Sequence, residues 1–151
     1  MVTSTGTPTV SQSFGDYAAK LVVSSLSLYS SADGTFGGNV SLTATVQEGG
    51  LHPQSGSPKF TMSCIVFAQR GSAVHVYAQG TAVDGPGFPP GVPVPAYAYL
   101  VDDPAGDQMW SGPMAKLGPC EVPTTIVGFD GIAAPVALRP IQNGSITVTI
   151  K

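Results

Sequence analysis

Strict alternation between apolar and hydroxyl side chains in residues 39–47 constrains the fold more than any other feature of the sequence. Every second residue from Val40 to Val46 is apolar, and the residues between them are serine or threonine. A two-residue period places all the apolar side chains on one side of an extended strand, whereas a helix would scatter them around its circumference. The segment therefore predicts a β-strand in a sheet that buries one face.

Similar short segments recur along the chain and are separated by residues that favour turns. Glycine and proline number 19 and 14 among 151 residues, which is well above their usual combined share of roughly 12%. Residues 84–95 contain five prolines and predict a stiff loop, and residues 102–113 predict a second loop. The predicted strands are residues 20–29, 39–47, 59–69, 73–80, 96–101, 124–129, 133–138 and 145–150.

These segments predict a single all-β domain. Frequent turns between short strands, without a convincing helix, are typical of an antiparallel β-sandwich or a jelly-roll-like barrel of about eight strands. Residues 1–13 are rich in serine and threonine and lack a periodic apolar pattern, so we expect them to form an extended N-terminal arm. The predicted organisation is therefore an arm over residues 1–13 and a β-sandwich domain over residues 14–151.

The composition argues against several classes of partner. Only 10% of the residues are charged and the net charge is −3, whereas an average domain is about 25% charged. The few lysines and arginines are scattered, so the cluster of positive charge that nucleic acid requires is missing. No apolar run approaches the roughly 20 residues of a membrane span, and the first residues lack the features of a signal peptide. We expect neither nucleic acid nor a membrane as a partner, and synthesis without a signal peptide.

The sequence contains none of the standard catalytic motifs. It has no Gly-x-Ser-x-Gly nucleophile turn, no phosphate-binding glycine loop and no His-Glu-x-x-His metal motif. Cys64 and Cys120 stand alone, so a disulfide and two buried free thiols both remain open. His52 and His75 are interpreted as surface or half-buried side chains. We therefore predict that the protein is not an enzyme and has no cofactor.

Three aspartates in one predicted loop are the best candidates for metal ligands. Asp102, Asp103 and Asp107 lie near Gly106, and carboxylates suit a hard cation such as Ca²⁺. Their spacing differs from that of an EF-hand loop, and aspartate and glycine are also ordinary turn residues. A metal site is therefore not predicted, and these residues remain its candidates.

Aromatic side chains allow two interpretations. Tyr97, Tyr99 and Trp110, together with Tyr77, either pack against a second layer or form a platform on which sugar rings stack. In the second case Asp102 would accept hydrogen bonds from sugar hydroxyl groups. The alternative function is therefore a lectin-like carbohydrate-binding β-sandwich with a glycan partner.

The scarcity of charge favours assembly as the leading function. Interface cores are depleted in charged residues and enriched in aromatic residues and methionine, and a free monomer normally carries more charge. An arm of this composition would be ordered only if a neighbouring subunit held it. We expect a structural protein that forms a homo-oligomer or larger shell, such as a capsid decoration or tail protein in a virion or another extracellular assembly. The candidate partner-binding residues are Val2, Thr7, Val10, Phe14, Phe88 and Trp110.

Overall fold

The computed structural model describes residues 1–31, 33–49, 52–128 and 131–149. In these residues the chain forms twelve β-strands and no helix, which confirms the predicted all-β class. No helix that could cross a membrane is found in the described residues. The strands are β1 (Val2–Phe14), β2 (Tyr17–Ser30), β3 (Phe36–Gln47), β4 (Gln54–Gly56), β5 (Lys59–Arg70), β6 (Ala73–Val83), β7 (Val94–Asp102), β8 (Gln108–Pro113), β9 (Thr125–Val127), β10 (Ala133–Pro135), β11 (Arg139–Pro140) and β12 (Gln142–Val148).

Most strands pair with their neighbours in the sequence. The main sheet has the order β11-β8-β7-β6-β5-β3-β2-β1-β12, all its pairs are antiparallel, and the short β4 folds back on β3. This is an up-and-down meander rather than the Greek-key connection of a jelly roll. The continuous segment of residues 139–148 pairs with β8 at one edge and with β1 at the other. It therefore joins both edges and makes the sheet a nearly closed barrel.

The first strand corrects the expectation of an extended N-terminal arm. β1 lies inside the sheet between β2 and β12, with Val2 opposite both Leu28 and Val148. The side chains of Val2 and Val10 are only 0% and 1% exposed, so this segment belongs to the chain's own core. The register shifts between Gly6 and Thr9 against β12 and between Thr3 and Thr9 against β2. Such a bulge interrupts the two-residue period by which a strand is recognised.

The eighth strand corrects part of the predicted loop over residues 102–113. The turn itself is short, and β8 begins at Gln108 and pairs with β7. Met109 and Trp110 are adjacent in the sequence and both are buried. A strand that is covered on both faces shows no alternation between apolar and polar residues, so the pattern of residues 108–113 does not predict a strand.

Two layers of side chains cover the strands β6 and β7. Val76 and Leu100 face each other on the side that forms the barrel interior, and Tyr77 and Tyr99 face each other on the outer side. The outer side is covered by residues 114–128 and 131–138, which we call the covering segment. This segment contains the β9–β10 hairpin and returns to the barrel at β11. The predicted strands over residues 124–129 and 133–138 are thus reduced to one small hairpin, and Phe129 and Ile150 lie outside the described residues.

Candidate functional site

The aspartates that were candidates for metal ligands close the barrel instead. Asp107 accepts hydrogen bonds from the backbone N–H groups of Asp103 at 3.0 Å and of Ile146 at 2.9 Å. Asp102 accepts one from the N–H of Val148, also at 2.9 Å. Because β12 has no strand on this side, the two carboxylates take the place of the carbonyl groups that a further strand would supply.

The third aspartate of this group stabilises the turn. Asp103 accepts a hydrogen bond from the N–H of Ala105 at 2.9 Å, as aspartate commonly does in turns. No group of three or more histidine, cysteine, aspartate or glutamate side chains in the described residues could hold a metal ion. The carboxylates of Asp102, Asp103 and Asp107 therefore accept hydrogen bonds from backbone N–H groups.

The two cysteines form a disulfide bond that tethers the covering segment. Cys64 lies on β5 and Cys120 lies in the covering segment, with their Cα atoms 5.8 Å apart. Gln79 of β6 supports the same attachment, because its side-chain amide donates a 2.6 Å hydrogen bond to the carbonyl oxygen of Gly118. Of the two alternatives that the sequence left open, the structure has the disulfide.

The tyrosines of the expected sugar platform are buried beneath this segment. Tyr97 and Tyr99 are 7% and 3% exposed, and Tyr77 packs between them with ring centroids 6.3 Å and 6.1 Å away. Burial raises the pKa of Tyr77 to about 12, and burial together with the neighbouring Tyr77 and Tyr17 raises that of Tyr97. A sugar ring therefore has no access to these rings, and they pack against a second layer as the other interpretation expected.

The candidate partner-binding residues differ in their exposure to solvent. Val2, Val10 and Trp110 are buried in the chain's own core and offer no surface to a neighbour. Thr7 is exposed and Phe88 is half-buried, so these two remain accessible. Phe14 is the last residue of β1, and its side chain lies outside the described part of the structure.

His75 forms a polar contact at the outer face of β6. Its Nδ1 atom lies 2.6 Å from the hydroxyl oxygen of Tyr99, and the rings meet edge to face with centroids 5.6 Å apart. Burial lowers the pKa of His75, and the positive charge of Arg70 lowers it further, whereas Asp103 raises it. The folded protein therefore favours the neutral form of the His75 imidazole.

We expect acidification to destabilise the protein through His75. The pKa of the unfolded state is close to 6.5 and that of the folded state is lower, so the unfolded state binds the proton first. Stability falls as the pH decreases through 6.5, and the loss is complete below the folded pKa. Melting temperatures between about pH 7.5 and 5.5 should fall in the parent protein and in His52→Gln, and fall less in His75→Gln. Equal pH profiles for all three proteins would contradict this role of His75.

One outer face of the barrel is almost free of charge. The outward side chains of the four strands β12, β1, β2 and β3, together with Ser55 of the short β4, are mainly serine and threonine, and we call this surface the hydroxyl face. Among these residues Lys20 is the only one with a charge. The hydroxyl face consists of Thr3, Thr5, Ser11, Ser13, Ala18, Lys20, Val22, Ser25, Ser27, Tyr29, Asn39, Ser41, Thr43, Thr45, Gln47, Ser55, Ser145 and Thr147, all exposed or half-buried.

The register of the strands brings these hydroxyl groups into rows. Thr3 lies opposite Ser27 on β2 and Thr147 on β12. The hydroxyl oxygens of Thr5 and Ser145, which belong to adjacent strands, are 2.6 Å apart and hydrogen-bonded. The face is therefore a continuous surface of small neutral side chains across four strands.

An exposed aromatic side chain lies at one end of the hydroxyl face. Tyr29 is 45% exposed, and its ring crosses the neighbouring strand at Gly37, where an added Cβ would approach the tyrosine hydroxyl to 2.6 Å. Aromatic residues are enriched in interfaces because they bury a large area and retain a polar group. The sequence predicted the outward residues of β3, whereas those of β1 were hidden by the bulge.

Comparison of the chain with known protein families, with curated proteins and with solved structures gave no match. The functional interpretation therefore depends on the residues and the geometry described above.

Proposed function

We propose that this protein is a non-enzymatic structural protein and that copies of the chain assemble through the hydroxyl face. The observation that carries the proposal is the nearly complete absence of charge from a sheet surface that spans four strands. Most charged residues of the described chain lie elsewhere, in turns and at strand ends. Examples are Asp16, Asp33 and Asp103.

The chemistry of this face favours contact with protein. Removing an ionised side chain from water is very costly unless it is paired, whereas a hydroxyl group needs only one or two hydrogen-bond partners. A serine or threonine hydroxyl group donates and accepts, and it rotates to suit its partner. A surface of such groups can therefore be covered with little electrostatic penalty.

The same chemistry makes the second copy the best partner. In a two-fold symmetric interface the same patch faces itself, so like charges would meet. Rows of hydroxyl groups avoid this conflict, because each group can act as donor towards one copy and acceptor towards the other. Lys20 is the single charged group of the face, so symmetric contact brings few like charges together.

The size of the face is sufficient for a specific interface. Strands rise about 3.3 Å per residue and lie about 4.8 Å apart. The strands β1, β2 and β3 have 13, 14 and 12 residues, so with the shorter β12 the face covers roughly 700 Å². A standard interface buries about 800 Å² on each partner, so the hydroxyl face with Tyr29 at its end matches that size.

The proposed interface is the hydroxyl face, whereas the sequence led us to expect contacts through an N-terminal arm. The segment of residues 1–13 pairs with its own chain, so it does not act as a clamp on a neighbour. A virion component, such as a capsid decoration or tail protein, remains a prediction for the setting of this assembly. In such a setting many copies combine weak contacts into a strong attachment.

A negative charge in the centre of the hydroxyl face should prevent the association. Thr43 is exposed on β3, and in a symmetric dimer Thr43→Glu places an unpaired carboxylate on each copy in the interface. We expect the dissociation constant to rise about tenfold or more, which is about 1.4 kcal/mol of binding free energy. Light scattering coupled to size-exclusion chromatography measures this change.

Thr125→Glu provides the matched control. Thr125 is also an exposed threonine within a strand, but it lies on β9 of the covering segment, away from the hydroxyl face. The control should associate as the parent chain does, because the substitution adds the same charge at a surface that stays in water. If both variants associate equally, the hydroxyl face is not the interface.

A further inference from the structure

A partly open cavity of about 280 Å³ lies at the end of the barrel where β2, β5 and β7 begin. Leu21 and Leu42 contribute to its wall, and the small side chains of Ala44, Ala82 and Ala96 leave its centre free. The volume is just below the range of about 300 to 1,000 Å³ for drug-sized ligands. The cavity therefore suits a small molecule with an apolar body.

Aromatic residues contribute to the lining of this cavity. Tyr17, Phe60, Phe88 and Trp110 all belong to its lining. Residues 110–113 of β8 also belong to the lining. The neighbouring strand β11 pairs with β8 only at Gln108 and Met109, so the edge of β8 from residue 110 onward has no strand beside it. The cavity thus reaches a gap in the barrel wall, and the half-buried rings of Tyr17 and Phe60 belong to its lining.

Glu48 is the one charged residue among the described residues that line the cavity. Glu48 lines the cavity and is exposed at the rim, and burial and the charge of Glu48 raise the pKa of the Tyr17 hydroxyl. The described residues include no cation within ion-pairing distance of Glu48. Lys59 lies 3.8 Å from the carboxylate of Asp84, and Lys20 belongs to the hydroxyl face. The opening therefore has a net negative charge.

We propose that this cavity binds a small organic cation whose apolar body occupies the barrel and whose ammonium group lies at the rim near Glu48. The electron-rich faces of aromatic rings attract organic ammonium groups, and a carboxylate adds direct charge complementarity. An anionic ligand of the same size would meet repulsion from Glu48. The cavity is separate from the hydroxyl face, so this binding site is independent of the proposed assembly.

The only tryptophan of the chain reports on this site. Trp110 is the single tryptophan in the sequence and is buried in the wall of the cavity, so we expect its fluorescence to change when a ligand enters. The probes are benzyltrimethylammonium and phenylacetate, which share an aromatic body and differ in the sign of their charge. We expect saturable binding of the ammonium probe in the millimolar range or below, and binding of phenylacetate at least tenfold weaker.

Two carboxylate variants test the contribution of Glu48. Glu48→Gln removes the charge at the rim, and because this residue is exposed we expect the affinity for benzyltrimethylammonium to fall about five- to tenfold. Asp33→Asn is the control, since Asp33 lies in the turn between β2 and β3 at the opposite end of the barrel. It should bind the ammonium probe as the parent chain does.

A cavity-filling variant separates binding inside the barrel from binding at the surface. Ala82→Leu places additional carbon atoms in the cavity, and it should abolish the fluorescence change while the melting curve confirms that the variant is folded. The proposal is overturned if neither probe gives saturable binding, or if phenylacetate binds as tightly as the ammonium probe. Unchanged affinity in Glu48→Gln or in folded Ala82→Leu would also overturn it.

Discussion

Loss of the disulfide between Cys64 and Cys120 is expected to lower the free energy of unfolding by roughly 4 kcal/mol. The two residues are 56 positions apart, and closing a loop of this length removes about 14 cal/mol/K of entropy from the unfolded chain in the loop-entropy model. Chemical denaturation of the parent chain and of the double variant Cys64→Ala/Cys120→Ala measures the difference. The expected result is a lower midpoint for the double variant.

The control for this prediction is the reducing agent itself. A thiol reductant should destabilise the parent chain by a similar amount and should leave the double variant unchanged, since that variant has no disulfide to reduce. Equal stability of the parent chain with and without reductant, under conditions where reduction is complete, would contradict the stabilising role of the bond.

The disulfide prediction also has a local readout at Tyr77. The burial that raises the pKa of Tyr77 to about 12 depends on the covering segment, because Met114 of this segment contacts the tyrosine hydroxyl at 3.8 Å. When reduction releases the segment, the pKa of Tyr77 should move towards the ordinary value of 10. Ultraviolet absorbance during alkaline titration follows this change.

The second large effect is expected at the closure of the barrel. Asp107→Ala removes two hydrogen bonds to a charged acceptor and leaves the N–H groups of Asp103 and Ile146 without these partners. Each such loss costs about 1.5 to 3 kcal/mol, and solvent access reduces the sum because Asp107 is only half-buried. We expect the free energy of unfolding to fall by about 3 kcal/mol in denaturant titrations.

Asp33→Ala is the matched control for this substitution. Asp33 also accepts a hydrogen bond from a turn N–H, that of Thr35 at 3.0 Å, but it is exposed and does not join two parts of the barrel. Its replacement should lower the free energy of unfolding much less than Asp107→Ala does, because water replaces the lost acceptor. Similar losses in Asp33→Ala and Asp107→Ala would show that Asp107 acts only as a local turn residue.

The elements that the sequence predicted correctly are those in which two kinds of side chain alternate along the strand. In β3 the apolar residues from Val40 to Val46 point inward and the serines and threonines between them point to solvent. The same pattern identified most of β2, β5 and β12. The strands β6 and β7 are buried on both faces, and the alternation of aliphatic with aromatic or polar side chains identified them. In each of these strands the alternation can be read from the sequence, because it involves residues that are consecutive in the chain.

The strands that the sequence missed, β1 and β8, lack a clear two-residue period. In β1 the bulge between Gly6 and Thr9 breaks the period, and in β8 burial on both faces removes it. The contacts of Asp107 and Asp102 with β12 join residues 39 and 46 positions apart. Such long-range contacts depend on the closure of the sheet, so no local pattern reveals them.

In the candidate sites too, local patterns were visible in the sequence, whereas features that depend on long-range contacts were not. The outward serines and threonines of β3 and β12 were visible in the sequence, but a four-strand face requires the pairing of β1 between β12 and β2. The tyrosines of the expected sugar platform were recognised as one group, and the covering segment determines that they are buried. The cavity near Glu48 combines residues from six strands and from the loops that follow β3, β4 and β6.

The mass of the unmodified chain in solution tests the central claim most directly. Sedimentation velocity over a concentration series from micromolar to millimolar measures association without a label or a substitution. If the hydroxyl face is an interface between copies, the sedimentation coefficient rises with concentration towards that of a dimer or larger species. A chain that sediments as a monomer throughout this range would contradict assembly through this face.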